Sequence, residues 1–252
     1  MNKKLIAHCG LLATLALLAG CASQKTSCSS GHVVTQFSTY DALAHGLYGG
    51  EMPVGKLMEH GDFGLGTLDG WDGEVVILDH KLYLIDGTGA VHVVTNMNVT
   101  TPFLEVMNFY PSLSRKIPDS TTYTDLQQLP TNYLPTLNSI FAVKISGTFR
   151  HVKTRSMPKQ SKPYKPMAEL VKTQPTFEFE NVRGTMVGFW SPPSMKGVSL
   201  AGWHLHFLTA DLQAGGHVLA FTTDNATLEA AESHHFNWLI PGGADYEREE
   251  FK

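Results

Sequence analysis

Gly202-Trp203-His204-Leu205-His206-Phe207-Leu208 carries two histidines one residue apart, and His217 follows in Ala214-Gly215-Gly216-His217-Val218-Leu219. Side chains alternate faces along a β-strand, so His204 and His206 share a face, with Leu205 and Phe207 behind them. Asp211 to Gly216 has turn chemistry, and Val218-Leu219-Ala220-Phe221 reads as a second strand. Antiparallel pairing of the two would set His217 opposite the first pair. Three neutral imidazoles around one point, with a position left open, describe a catalytic zinc site. Spacing alone leaves the competing reading, ordinary strand histidines, open. His234 and His235 are adjacent and would point to opposite faces of a strand, so they are left out of the site.

Two charged residues far from this hairpin suit the same chemistry. Glu74 opens the strand Glu74-Val75-Val76-Ile77-Leu78 directly after Asp69-Gly70-Trp71-Asp72-Gly73, whose glycines let the backbone approach another element closely. A carboxylate at a strand mouth is a metal ligand, a proton donor or a solvated strand start. Arg150 to Tyr164 is basic and punctuated by prolines, which reads as a solvated loop; an arginine in it could clamp a substrate carboxylate through its planar fork of donors.

The elements around these residues are mostly strands. A strand leads into a short helix over Asp41 to Leu47, with another short turn near Pro53 to His60. A β-meander follows through Glu74–Leu78, Leu82–Ile85 and Val91–Val94. Asn96 to Asp119 has few strand signals. A short helix falls within Asp119 to Leu129, opened by Thr121-Thr122-Tyr123-Thr124. Ser139 to Phe149 is a strong strand, Thr176 to Trp190 reads as a hairpin-like pair, and Ala226–Glu232 and His234–Ile240 are further strand candidates. The tail from Asp245 is a short helix or frayed. The expected fold is α+β and β-rich. It comprises two subdomains, residues 32–138 and 139–252, built on mixed or antiparallel sheets with the metal site between or beside them.

The chain has 252 residues, 42% of them apolar and 17% charged, which is ordinary for a globular protein with a real core. A formal net charge of −4, with no run of Lys or Arg, gives no phosphate track and excludes nucleic acid as a partner. No Gly-x-Ser-x-Gly elbow or dinucleotide-binding glycine loop in the required context is present. Lys3-Lys4 and the apolar run Leu5 to Leu18 form a signal peptide over residues 1–20, too short and early for an ordinary membrane span. The run ends in Leu18-Ala19-Gly20-Cys21, which resembles a bacterial lipoprotein signal, with lipid on Cys21; a plain signal peptide is the alternative. Residues 21–31 would then be a flexible tether. This start implies an exported, periplasmic or outer-surface protein that touches the membrane only through its lipid. With Cys9 removed and Cys21 acylated, Cys28 stands alone and no internal disulfide forms.

Several separated stretches together resemble the bacterial acetolactate decarboxylases. The carriers are Tyr48-Gly49-Gly50, His60-Gly61-Asp62-Phe63-Gly64-Leu65-Gly66-Thr67 and Asp69-Gly70-Trp71-Asp72-Gly73-Glu74. Further along come Lys153-Thr154-Arg155-Ser156, Gln160, Lys162-Pro163-Tyr164 and the histidine hairpin. The resemblance runs from about Thr39 to Asn225. It implies a homodimeric enzyme that takes the small molecule 2-acetolactate to acetoin. It also implies zinc on His204, His206 and His217, catalytic roles for Arg155 and Glu74, and Thr67 in the pocket. The family's tail glutamate near the metal would correspond to Glu247, Glu249 or Glu250. In the implied chemistry the metal chelates the hydroxyl and ketone oxygens, an enediolate follows loss of carbon dioxide, and a proton returns to one face. Two other classes compete: an exported lipoprotein that binds zinc without catalysis, and a His-x-His metal oxygenase. The second would place a Glu a few residues after the histidine pair, where this chain has Asp211 in a turn.

Overall fold

The computed structural model describes residues 32–251. The expected signal peptide and tether, with Cys21, lie outside the described residues.

Seven strands form a mixed sheet in the order His235–Leu239, Val33–Phe37, Phe103–Met107, Phe63–Leu68, Asp72–Leu78, Lys81–Ile85 and Val91–Val94. The expected meander is its last three strands. His235–Leu239 is the parallel member, running alongside Val33–Phe37. The stretch after Asn96 departs from expectation: Phe103–Met107 is a strand at the heart of this sheet, buried along its whole length. It lacks the polar-apolar alternation of a half-exposed strand because both of its faces are covered.

The second sheet runs in the order Ile140–Arg155, Thr176–Ser191, Gly202–Thr209, Gly215–Ser233 and Leu113–Ile117, and its first strand also pairs with its fourth. Four strands therefore close on themselves around an apolar interior containing Phe149, Leu205, Phe207 and Phe221. The helix Tyr123–Gln128 packs its buried Leu126 against this cluster and begins with a capping box on Thr122. Trp203 fixes the helix to the sheet by donating its Nε1–H to Leu126 O at 3.1 Å.

Three strand lengths correct the sequence reading. The strand beginning at Ile140 continues through the basic stretch to Arg155, with Val152 inside the barrel and Arg150 in water. Thr176–Ser191 is one strand rather than a hairpin. Its Gly184 marks a close approach, since a Cβ there would stand 2.4 Å from Leu208 O. Likewise, the segments at 218–221 and 226–232 are parts of the single strand Gly215–Ser233.

The two sheets pack face to face through Phe63, Leu65 and Val76 from one and Val187, Phe189 and Leu208 from the other. The opposite face of the seven-stranded sheet is covered by the helix Val54–Met58, whose Val54 and Leu57 pack among Val75, Ile77 and Leu104. Leu113–Ile117 belongs to the second sheet and His235–Leu239 to the first, so the chain crosses between the sheets at both places.

Candidate metal centre

Along Gly202–Thr209 the side chains of Trp203, Leu205 and Phe207 fill the barrel. His204, His206 and Leu208 therefore face the layer between the sheets. His206 and His217 are direct Cα partners, and so are His217 and Arg155 on the next strand. Directly opposed residues project to the same side, so Arg155, His217 and His206 form one row across three strands. A register shift makes this row: Thr154 pairs with Val218 but Lys153 with Ala220, so Leu219 is passed over. Glycines allow the strands to close here, because a Cβ on Gly215 would stand 2.1 Å from Phe207 O and one on Gly216 2.5 Å from Arg155 O.

The three imidazoles form a near-equilateral triangle, with ring centroids 5.1, 5.1 and 5.3 Å apart. One nitrogen from each lies within 4.8 Å of the others, which makes the trio a group able to hold a metal ion. His206 Nδ1 stands 2.8 Å from Val75 O; a carbonyl only accepts, so Nδ1 carries the hydrogen and Nε2 keeps its lone pair. His204 Nδ1, His206 Nε2 and His217 Nδ1 are buried without hydrogen-bond partners. Burial, more than the nearby Arg155 and the neighbouring rings, holds the pKa of His204 and His217 well below 6.5. Burial also brings His206 down to about 3, against the pull of its bond to Val75. All three are neutral at physiological pH, as metal ligation requires. Neutral rings whose buried nitrogens lack hydrogen-bond partners fit a zinc ion, and the group holds no carboxylate, unlike a two-His-one-carboxylate iron site.

Glu74 and Arg155 arrive from opposite sheets. Gly73 precedes Glu74 with φ +68° and donates its N–H to Met157 O at 2.9 Å, which draws the strand mouth onto the end of the Arg155 strand. Ser156 ties the same junction by donating to Ile85 O at 2.7 Å. Arg155 Nη1 then donates to Glu74 Oε1 at 2.7 Å, and Glu74 Oε2 lies 3.2 Å from His206 Nε2. Burial raises the Glu74 carboxyl to about 7, with Arg155 and then Trp71 opposing the shift. It is a carboxyl able to hold or release a proton near neutrality. The guanidinium also lies 5.5 Å from the Trp71 ring centroid.

A cavity of about 80 Å³ joins the three histidines to Glu74, Arg155 and Thr67. Thr67 lines it, its hydroxyl hydrogen given to Gly73 O at 2.7 Å. Tyr40, Trp71 and Phe103 are walls the sequence reading did not assign. Glu105 was missed too; it is 1% exposed and burial raises its carboxyl to about 7. Its signal was a single acid inside the apolar run Phe103-Leu104-Glu105-Val106-Met107, where ionised groups are rarely buried without a purpose. The tail is elsewhere: Glu247 and Glu250 are exposed, Glu249 pairs with His45 at 2.7 Å, and none belongs to the histidine group. His234 is exposed, and neither it nor His235 belongs to the group.

The chain matches the family model described as Alpha-acetolactate decarboxylase over residues 34–252. It is 40% identical over 218 residues to the alpha-acetolactate decarboxylase of Methanosarcina mazei, covering 86% of this chain and 75% of that protein. Identity to the Bacillus subtilis enzyme is 36% over 213 residues, covering 84% of this chain and 83% of that one. The crystal structure of alpha-acetolactate decarboxylase from Bacillus subtilis superposes with a TM-score of 0.83 at 35% identity, covering 86% of this chain and 93% of the other. A Staphylococcus aureus protein described as similar to that enzyme gives 0.82 at 31% identity, with coverages of 87% and 94%.

Proposed function

The chain belongs to the alpha-acetolactate decarboxylase family, and from that premise we propose that it is a carboxy-lyase converting 2-acetolactate to acetoin, with zinc held by His204, His206 and His217. The observation that carries this reading is the convergence of three neutral imidazoles, each with one buried nitrogen that lacks a hydrogen-bond partner, beside a buried Glu–Arg pair in one small cavity.

2-Acetolactate has a carboxylate and a hydroxyl on one carbon and a ketone on the next. Bound zinc would supply Lewis-acid stabilisation to oxygen charge that develops at the ketone and hydroxyl. Arg155 is placed to orient the substrate through its carboxylate or hydroxyl oxygen, its fork already fixed by Glu74 and the Trp71 face. The bond to the carboxylate breaks, carbon dioxide leaves, and the electron pair moves toward the ketone to give an enediolate. Glu74, whose carboxyl is poised near 7, returns a proton to the carbon that lost the carboxylate. It stands on one side of the cavity, so the proton arrives on one face and the acetoin is chiral. Apolar walls at Phe103, Leu43 and Leu200 limit water around the reacting carbon.

The direct test is acetoin release from 2-acetolactate by purified protein, with and without a chelator and after zinc is restored. Activity lost to the chelator and recovered with zinc is the expected result; zinc-loaded protein that releases no acetoin refutes the assignment.

A further inference from the structure

Glu105 has no part in the chemistry above, yet its surroundings assign nearly every hydrogen around it. It sits on Phe103–Met107 as the Cα partner of Gln36. The Gln36 side-chain amide spends both hydrogens on backbone carbonyls, Ser38 O and Val198 O, each at 2.8 Å. Gln36 Oε1 can then only accept. Ser199 Oγ makes a short contact with that oxygen and lies 3.1 Å from Glu105 Oε1. A hydroxyl has one hydrogen; given to Gln36, it leaves Ser199 to accept one from Glu105 Oε1. Glu105 Oε2 remains as an acceptor, buried and without a hydrogen-bond partner.

Facing that oxygen at 3.9 Å is His204 Nδ1, also buried and also without a partner. The separation exceeds an N–H···O bond by roughly 1 Å, a gap that a small side-chain rotation closes. Glu105 does not line the cavity, whereas His204 does, so the carboxyl stands behind the ring. An imidazole that donates through Nδ1 presents the lone pair of Nε2 in the other direction.

We propose that Glu105 is a positioning residue for His204. The relay Gln36–Ser199–Glu105 accepts the Nδ1 hydrogen of His204, fixes its tautomer and orientation, and thereby presents Nε2 to the metal. This rests on the reading of His204 as a metal ligand. Outer partners of metal-bound histidines typically change affinity by about 10–100-fold when removed. The relay requires a donor at Oε1 and an acceptor at Oε2, and it requires no negative charge. Glutamine supplies both functions; leucine fills the space and supplies neither.

The test compares wild type, Glu105→Gln and Glu105→Leu by competition of zinc against a chromophoric chelator. Ring-nitrogen NMR of His204 in the zinc-free protein and a thermal melt accompany it. The expected result is a zinc affinity lowered about 10–100-fold in Glu105→Leu and restored to within a few-fold of wild type in Glu105→Gln. The Nδ1–H form of His204 should predominate in wild type and Glu105→Gln and lose its predominance in Glu105→Leu. Equal affinity in all three folded proteins, or equal loss in both variants, would overturn the relay. The NMR arm needs no metal: a wild type that bound no zinc would defeat the ligand reading, while the tautomer would still decide what Glu105 does.

Discussion

Arg155 and Glu74 meet at 2.7 Å across the layer between the two sheets, with only 11% and 4% of their side-chain surfaces exposed. Neither residue's own sheet could position it against the other. Their contact depends on the docking of the Gly73 turn against Met157 and on the register that places Arg155 beside His217.

Replacing Glu74 with Gln keeps the shape and removes the transferable proton. Acetoin release should fall by about 10²–10⁴-fold, and its enantiomeric purity should drop, with zinc still bound. Chiral chromatography of the product together with metal analysis checks this. Loss of the metal instead would make Glu74 a ligand rather than a proton donor.

His206→Ala deletes a donor nitrogen and the bond to Val75. Zinc at about a hundred times its dissociation constant should raise the wild-type melting temperature by roughly 5–10 °C. The variant should show almost no zinc-dependent shift. Melting curves with and without zinc decide the point, and an unchanged shift would remove His206 from the metal site.

Gly73→Ala should destabilise the protein by about 2–4 kcal/mol, because φ is +68° and the new Cβ would lie 2.2 Å from Ile85 O. The backbone must move to relieve that clash, and Glu74 moves with it. Turnover is therefore expected to fall even at temperatures where the variant remains folded. Full activity in a destabilised variant would show that the turn does not place Glu74.

Asp86 bears on stability in acid. Slight burial raises its carboxyl, but hydrogen bonds from the Thr88 hydroxyl, His92 and the Thr88 and Ala90 amides outweigh that and hold it at about 2. Between pH 2 and the ordinary 3.8 the unfolded chain binds more protons at this site than the folded one. Its stabilisation is thus present above about pH 4 and lost as pH falls toward 2. Asp86→Asn should cost at most about 1 kcal/mol at pH 6, the side chain being partly exposed, and the gap to wild type should narrow by pH 3. Urea melts at the two pH values measure it; a gap that widened in acid would refute the assignment.

The lipoprotein-type start is testable separately from the site. Cys21→Ser should shift the protein from the membrane fraction to the soluble exported fraction and abolish incorporation of labelled fatty acid. Labelling that persists in the variant would exclude Cys21 as the acylated residue.

The histidine hairpin was legible because its signals are local: a two-residue period, a turn and a third histidine at hairpin distance. Glu74 was visible for a similar reason, through the glycines before it. Arg155 was harder. Its alignment with His217 depends on Leu219 being passed over, a property of two strands far apart in the chain. The family resemblance, not the pattern of charges, singled it out from a stretch that read as loop. Thr176–Ser191 was read as a pair because Gly184 looks like a turn residue, though it makes room for the backbone of a neighbouring strand; the strand from Ile140 was cut short because the stretch from Arg150 is basic and proline-punctuated. Glu105 escaped notice because its partners Gln36, Ser199 and His204 come from three separate stretches, and nothing adjacent to it in sequence announces them.

The division of labour between the sheets has an evolutionary consequence. All three candidate metal ligands belong to the closed second sheet, while Glu74 and Thr67 belong to the first. Under the proposed chemistry, substitutions along the seam would tilt the proton's line of approach while the imidazole triangle kept its shape, which would make product handedness and metal retention separately selectable traits.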